Sequence, residues 1–203
     1  MSSFTVDPLG AGAHIMDRGA HGDATMQHLR NIANARQPAP VGRLDTWDAV
    51  RDYMWAGNAT FTLVSMKTGM RYTYRATAKK EDVVLDAARR ASSASSVMSP
   101  DVDITYFVKL LRGQDNTSDY AYMGVARKPG AFFITHASRV KRDTPSVVAL
   151  VWFFERLAAE RDGVLGTQME VWHTGRCGRC GRLLTVPESV GRGIGPECAG
   201  LMS

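Results

Sequence analysis

Residues 60–78 read "TFTLVSMKTGMRYTYRATA", and this stretch decides the fold class. Phe61, Leu63 and Ser65 alternate with Thr62, Val64 and Met66, and the second arm is dense in Tyr and Thr, residue types that suit a pleated surface. Lys67, Thr68 and Gly69 supply the turn between the arms, so the pattern predicts a β-hairpin. Further along, "DITYFVKLLRG" (residues 103–113) and "DYAYMGVAR" (residues 119–127) carry strand signals on either side of "QDNTS". A Lys128-Pro129-Gly130 turn then leads into "AFFITHASRV". Five strands in two linked meanders predict an antiparallel sheet.

Helical spacing brackets these strands. In "RLDTWDAVRDYMWAGNA", Asp45 reads as an N-cap, Trp47, Val50, Tyr53 and Met54 form one apolar face, and Gly57 closes the helix. After the strands, Thr144 reads as a cap and Pro145 as the first position of a helix through "SVVALVWFFERLAAERDG", which Gly163 ends. Its apolar positions are Val147, Val151, Phe154 and Ala158, and again Val148, Leu150, Trp152 and Leu157. That face is too broad for a surface helix, so this helix is expected to cross one side of the sheet and supply much of the core. A short strand, "TQMEVWH", follows. The predicted class is α+β: an antiparallel β-sheet packed by one long apolar helix over residues 44–165, then a C-terminal module over 166–203.

Residues 1–43 form a flexible or partly helical arm, with a short helix over 24–35 and a Pro38/Pro40 linker. His14, His21 and His28 in this arm read as isolated histidines, not metal ligands. Residues 79–90 suit a short helix, and "ASSASSVMSPD" (residues 91–101) reads as a mobile excursion.

The 203 residues, 44% apolar, allow one domain plus an appended module or two small domains. No apolar run approaches the ~18–20 residues that a membrane span needs. The first residues show neither a basic n-region nor an apolar h-region, which leads to the expectation of no secretory leader, a cytoplasmic location and no membrane partner. A net charge of +5 and a pI near 9.3 permit phosphate contact without demanding it.

All three cysteines lie in "HTGRCGRCGRLLTVPESVGRGIGPECAGL", residues 173–201. Cys177 and Cys180 form a C-x-x-C step that can point two thiolates at one ion, and Cys198 follows a Gly193-Ile194-Gly195-Pro196 turn. A knuckle plus a ligand at a short helix start is a treble-clef-like layout, and clustered cysteines of this kind favour metal over a disulfide. Closed tetrahedral zinc needs a fourth donor. His173 is the expected one, with water, Glu197 or a distant histidine as the alternatives. Glu188 and Glu197 are the only local candidates for a general base and sit in no H-x-E or H-E-x-x-H arrangement, so the zinc is expected to be structural.

The segment "CGRCGRLLTVPESVGRGIGPEC" resembles the zinc-binding segment of the DUF6011 family, found in many bacteriophage and actinobacterial proteins. That pattern runs C-G-x-C-G-R-x-L-(T/S)-x-P-x-S-(I/V)-x-x-G-(I/F)-G-P-x-C. It is matched here by Cys177, Gly178, Cys180, Gly181, Arg182, Leu184, Thr185, Pro187, Ser189, Val190, Gly193, Ile194, Gly195, Pro196 and Cys198. Weaker similarity extends upstream, with residues 86–101 resembling an insertion. The resemblance implies zinc and a phage origin, and little chemistry.

Arg176, Arg179, Arg182 and Arg192 surround the ligands on what would be a rigid, solvent-facing loop, and planar guanidinium groups suit phosphates and stacked bases. In the strands, Tyr72, Tyr74, Tyr106, Tyr120 and Tyr122 alternate with Arg71, Arg75, Lys109 and Arg127; on an uncovered face such residues would stack on single-stranded bases. No Walker loop, Rossmann fingerprint or G-x-S-x-G elbow is present. The leading expectation is a small non-enzymatic phage protein that binds nucleic acid, DNA or RNA, through the arginines around a structural zinc site. The competing class is a phage protein-interaction factor that binds and inhibits or redirects a host machine, such as an anti-defence protein. A weaker option is a metal-dependent nuclease using Asp101, Asp103, Asp115 and Asp119.

Overall fold

The computed structural model of the protein describes residues 42–79, 82, 85, 104–159 and 163–201. The expected helix over 24–35, the histidines at 14, 21 and 28 and the excursion over 91–101 lie outside the described residues. Within the expected 79–90 helix, Asp82 and Leu85 are helical.

Seven strands form one antiparallel sheet: β1 (Gly42–Leu44), β2 (Asn58–Ser65), β3 (Arg71–Thr77), β4 (Tyr106–Leu111), β5 (Tyr120–Arg127), β6 (Ala131–Ile134) and β7 (Met169–His173). Their order is β1-β7-β2-β3-β4-β5-β6. The hairpin forms as its alternation predicts, with Phe61 opposite Tyr74 and Leu63 opposite Tyr72. Strand β7, which the sequence reading places in the C-terminal module, lies inside the sheet, pairing β2 on one side and β1 on the other. Among the described residues the helices with defined bounds are α1 (Trp47–Met54), α2 (Pro145–Ala159), α3 (Pro187–Arg192) and α4 (Pro196–Gly200). None among the described residues is long and apolar enough to cross a membrane.

The expectation of one long apolar helix as the packing partner is corrected by the core itself. Helix α2 supplies Val147, Ala149, Leu150, Trp152, Phe153, Phe154 and Leu157, but α1 adds Val50, Tyr53 and Met54 to the same buried cluster. A fifteen-residue helix spans ~22 Å at 1.5 Å per residue, whereas seven strands ~4.8 Å apart are wider than that, so a second helix is needed to cover the β1–β7–β2 end. Phe153, which the expected apolar rows pass over, is fully buried 5.5 Å from the Phe61 ring, while Ala158 is exposed. Phe132 and Phe154 stack at 5.6 Å. Burying each such ring contributes ~1.5–3 kcal/mol before the cost of ordering it.

Two buried hydroxyls tie sheet to helices: Tyr74 Oη donates to the Ser146 carbonyl (2.7 Å) and Tyr106 Oη to that of Trp55 (2.8 Å). The cap of α1 also differs from expectation. Thr46 accepts from the Ala49 amide (3.2 Å), leaving Asp45 to pair with Arg43 (2.5 Å).

Candidate metal centre and its arginines

Strand β7 ends at His173, and the chain then turns through Gly175 into the knuckle. An isolated bridge between Arg176 and Leu183 closes that loop, and the Gly181 amide bonds to the Cys177 carbonyl (2.9 Å). Cys198 arrives on α4, a single turn opened by Pro196. The three sulfurs lie within 4.8 Å of one another, the only such donor group among the described residues. Tetrahedral Zn–S bonds of ~2.3 Å would place thiolates roughly 3.8 Å apart, so the donors fit a metal with little movement.

Electrostatics point the same way. Cys177 is buried, which raises its thiol's pKa, yet backbone amides of Gly195, Cys180 and Arg179 outweigh the burial and hold it below the ordinary value. Cys198 is pushed up to about 12 by burial, by hydrogen bonding with Cys180 and by the neighbouring charge of Cys177. Three adjacent thiols cannot all ionise unaided; a divalent cation removes the repulsion and deprotonates them together.

His173, the expected fourth ligand, does not join the group. Its ring is buried beneath the knuckle, where Nε2 donates to the Val190 carbonyl (2.7 Å) and Nδ1 accepts from the Gly175 amide (3.1 Å). Both nitrogens are committed, so the imidazole fastens α3 and the knuckle to β7. Burial lowers its pKa, partly offset by the Val190 bond. Beside the sulfurs a pocket of about 200 Å³ opens, lined also by Arg182, Leu184, Val186, Ser189, Pro196 and Glu197.

The knuckle rests on Tyr53 of α1. A β-carbon at Gly178 would lie 2.7 Å from Tyr53 Cδ2 and 2.9 Å from its carbonyl oxygen, and one at Gly193 would lie 2.5 Å from Cδ2. The Gly178 carbonyl accepts from the Asn58 amide (2.6 Å) and its own amide donates to Gly193 O (3.0 Å). Both glycines admit the Tyr53 ring where a side chain would collide with it. Helix α3 in turn packs on β1 and α1.

Residues 170–203 match the family model described as a family of unknown function, DUF6011. No curated protein and no solved structure matches the chain. The matched segment begins within β7, so it comprises a sheet strand together with the cysteine cluster.

The four arginines differ in their freedom. Arg176 Nη1 donates to the Gly181 carbonyl (3.1 Å) and braces the knuckle, and Arg182 pairs with Glu197 (3.3 Å) where both are solvent-exposed. Arg179, half-buried, and Arg192, exposed at the end of α3, make no ion pair among the described residues. Of the strand tyrosines, Tyr74 and Tyr106 are fully buried and Tyr72 packs against the core, which removes all three as stacking candidates. Alternation sends them to the helix side of the sheet, whereas Tyr120 and Tyr122, half-buried like Tyr72, lie on the other face. Asp101 and Asp103 lie outside the described residues. The Asp115 carboxylate accepts from Thr117 and Ser118, and Asp119 from the Asp115 amide, so both serve the β4–β5 turn. Those hydroxyl and amide donors hold Asp115 down at about 2.

Proposed function

We propose that this is a small, non-enzymatic nucleic-acid-binding protein of bacteriophage, acting in the host cytoplasm, whose treble-clef-like knuckle is fixed by a structural zinc ion. The observation that carries the reading is the convergence of Cys177, Cys180 and Cys198 within 4.8 Å on a loop that also holds Arg179 and, close by, Arg192, neither of which makes an ion pair among the described residues. When bound, zinc would lock the loop's shape by neutralising three thiolates. With His173 committed to backbone groups, a solvent molecule in the adjoining pocket would complete the coordination. The resemblance of the tail to a segment common in phage proteins supports the origin, and the +5 net charge suits a polyanion, DNA or RNA.

The test pairs metal analysis with binding. Purified chain is expected to hold one zinc, and to bind labelled DNA or RNA at low salt with affinity that falls steeply as salt rises. Replacing Arg179 and Arg192 by Glu should weaken binding ~10-fold or more while leaving zinc content and Tm unchanged. Absence of polyanion binding at low salt would overturn the reading and favour a protein partner; nucleic-acid degradation that requires added Mg²⁺ would favour the nuclease.

A further inference from the structure

The sheet has two unlike faces. Residues facing α1 and α2 form the buried cluster, among them Ala59, Phe61, Leu63, Tyr74, Ala76, Tyr106, Val108 and Leu110. Their alternating neighbours point the other way, away from α1 and α2. In one cross-strand row Thr77, Phe107, Val125 and Phe133 lie side by side; in the next, Thr60, Arg75, Lys109 and Tyr122. A third row carries Arg43, Trp172, Thr62 and Thr73.

Phe107 and Phe133 are 37% and 55% exposed, an unfavourable display of aromatic surface for residues that the core does not use. The charges around them are one-sided. Arg43, Arg71, Arg75 and Lys109 lie on this side; Arg43 is paired with both Asp45 (2.5 Å) and Glu170 (3.1 Å), and Glu170 also accepts from Trp172 Nε1 (2.9 Å), so Arg71, Arg75 and Lys109 are the cations nearest the rings. Arg75 is oriented in advance: its guanidinium lies 4.0 Å over the Tyr120 ring and donates to the Asn116 and Thr117 carbonyls. Arg71 and Lys109 form no ion pair among the described residues.

We propose that this face is a platform for single-stranded nucleic acid, an inference that rests on the nucleic-acid reading above and names the strand state it recognises. Phe107, Tyr122 and Phe133 stack on unpaired bases, and Lys109, Arg71 and Arg75 neutralise the phosphates between them. The interleaving selects the partner. Phe107 and Phe133 stand two strands apart, ~10 Å, with Val125 between them, and Tyr122 lies one strand over and two residues along from Phe107, ~8 Å, so each ring can meet a separate base, which a single strand presents and a duplex keeps stacked inside. An acidic peptide would satisfy the cations but leave the aromatic row without flat partners.

The experiment measures fluorescence anisotropy of labelled oligothymidylate and of a hairpin duplex with full-length, zinc-loaded chain at one low salt concentration. The expected result is tighter binding of the single strand. The Phe107→Ala/Phe133→Ala variant should weaken it ~10-fold or more and leave duplex binding and Tm unchanged. Lys109→Glu, a fully surface change, should weaken single-strand binding as well, which guards against a folding defect in the aromatic variant. Equal affinity for both probes, unchanged in these variants but lost in Arg179→Glu, would overturn the platform and leave the knuckle reading standing. No binding of either probe by the wild-type chain would overturn both.

Discussion

Replacing Gly193 by Ala tests whether the knuckle truly depends on the Tyr53 ring. Gly193 has φ of 70°, the left-handed region, where any β-carbon costs ~1–2 kcal/mol. That methyl would also lie 2.5, 3.1 and 3.2 Å from Cδ2, Cγ and Cε2 of Tyr53. The ring has little room to yield. It is 1% exposed, its hydroxyl is fixed to both the carbonyl (2.9 Å) and the amide (3.1 Å) of Thr60, and it leans on His173 at 5.2 Å. Overpacking of this kind costs ~1–3 kcal/mol, giving a total of ~2–5 kcal/mol. Gly69 supplies the control, because its φ of 68° is nearly the same and nothing lies within 4 Å of its would-be β-carbon. Gly69→Ala should therefore show the backbone cost alone, ~1–2 kcal/mol, and the unfolded-chain effect of Gly→Ala cancels between the two. Equilibrium urea denaturation with zinc present reads both variants. If Gly193→Ala proves no more destabilising than Gly69→Ala, the contact with Tyr53 does not constrain the knuckle and the docking argument is wrong.

Two further outcomes follow from the same contacts. Chelating the metal should lower the Tm of the whole sheet and not only loosen the tail, since free zinc at 100 times its Kd contributes ~2.7 kcal/mol to whatever unit it binds; a sheet transition indifferent to chelator would contradict this. His173 should titrate by NMR below its ordinary 6.5, because burial opposes the charge. The unfolded chain then takes up the proton first, so this group's contribution to stability is complete above about pH 6.5 and declines as pH falls toward the folded-state value. A midpoint at or above 6.5 would refute the assignment of a neutral, backbone-bonded ring.

What could be read from the residues follows the strength of local periodicity. The hairpin at 60–78 and the β4–β5–β6 meander carry period-two alternation with clear turns, and they form as expected. Strand β1 has three residues, Gly42–Leu44, too few to show any period; it exists because Leu44 pairs with Val171 and Gly42 leaves space for the His173 ring. The cysteine convergence was legible because C-x-x-C spacing and a following glycine-rich turn are local instructions. The role of His173 was not, because it depends on a carbonyl seventeen positions away, Val190 O, that competes for the ring. The tyrosines show the same limit: side-chain type alone does not distinguish Tyr74, pointing inward to Ser146, from Tyr122, on the other face.

The place of β7 explains how a short cysteine knuckle is held on this sheet. A chain of about thirty residues buries too little apolar surface to hold a shape by itself, and metal alone fixes only the loop between its ligands. Here Met169 and Val171 of the preceding strand are fully buried between β1 and β2, so the segment enters the knuckle already anchored on two sides. His173 then fastens α3, and Gly178 and Gly193 set the loop down on Tyr53. Arg179 and Arg192 are thereby carried on backbone that the core of the sheet holds in place. A pair of charges in fixed positions loses less entropy on meeting a phosphate than the same charges on a free tail, which is the advantage that the proposed binding loop would draw from an interior strand.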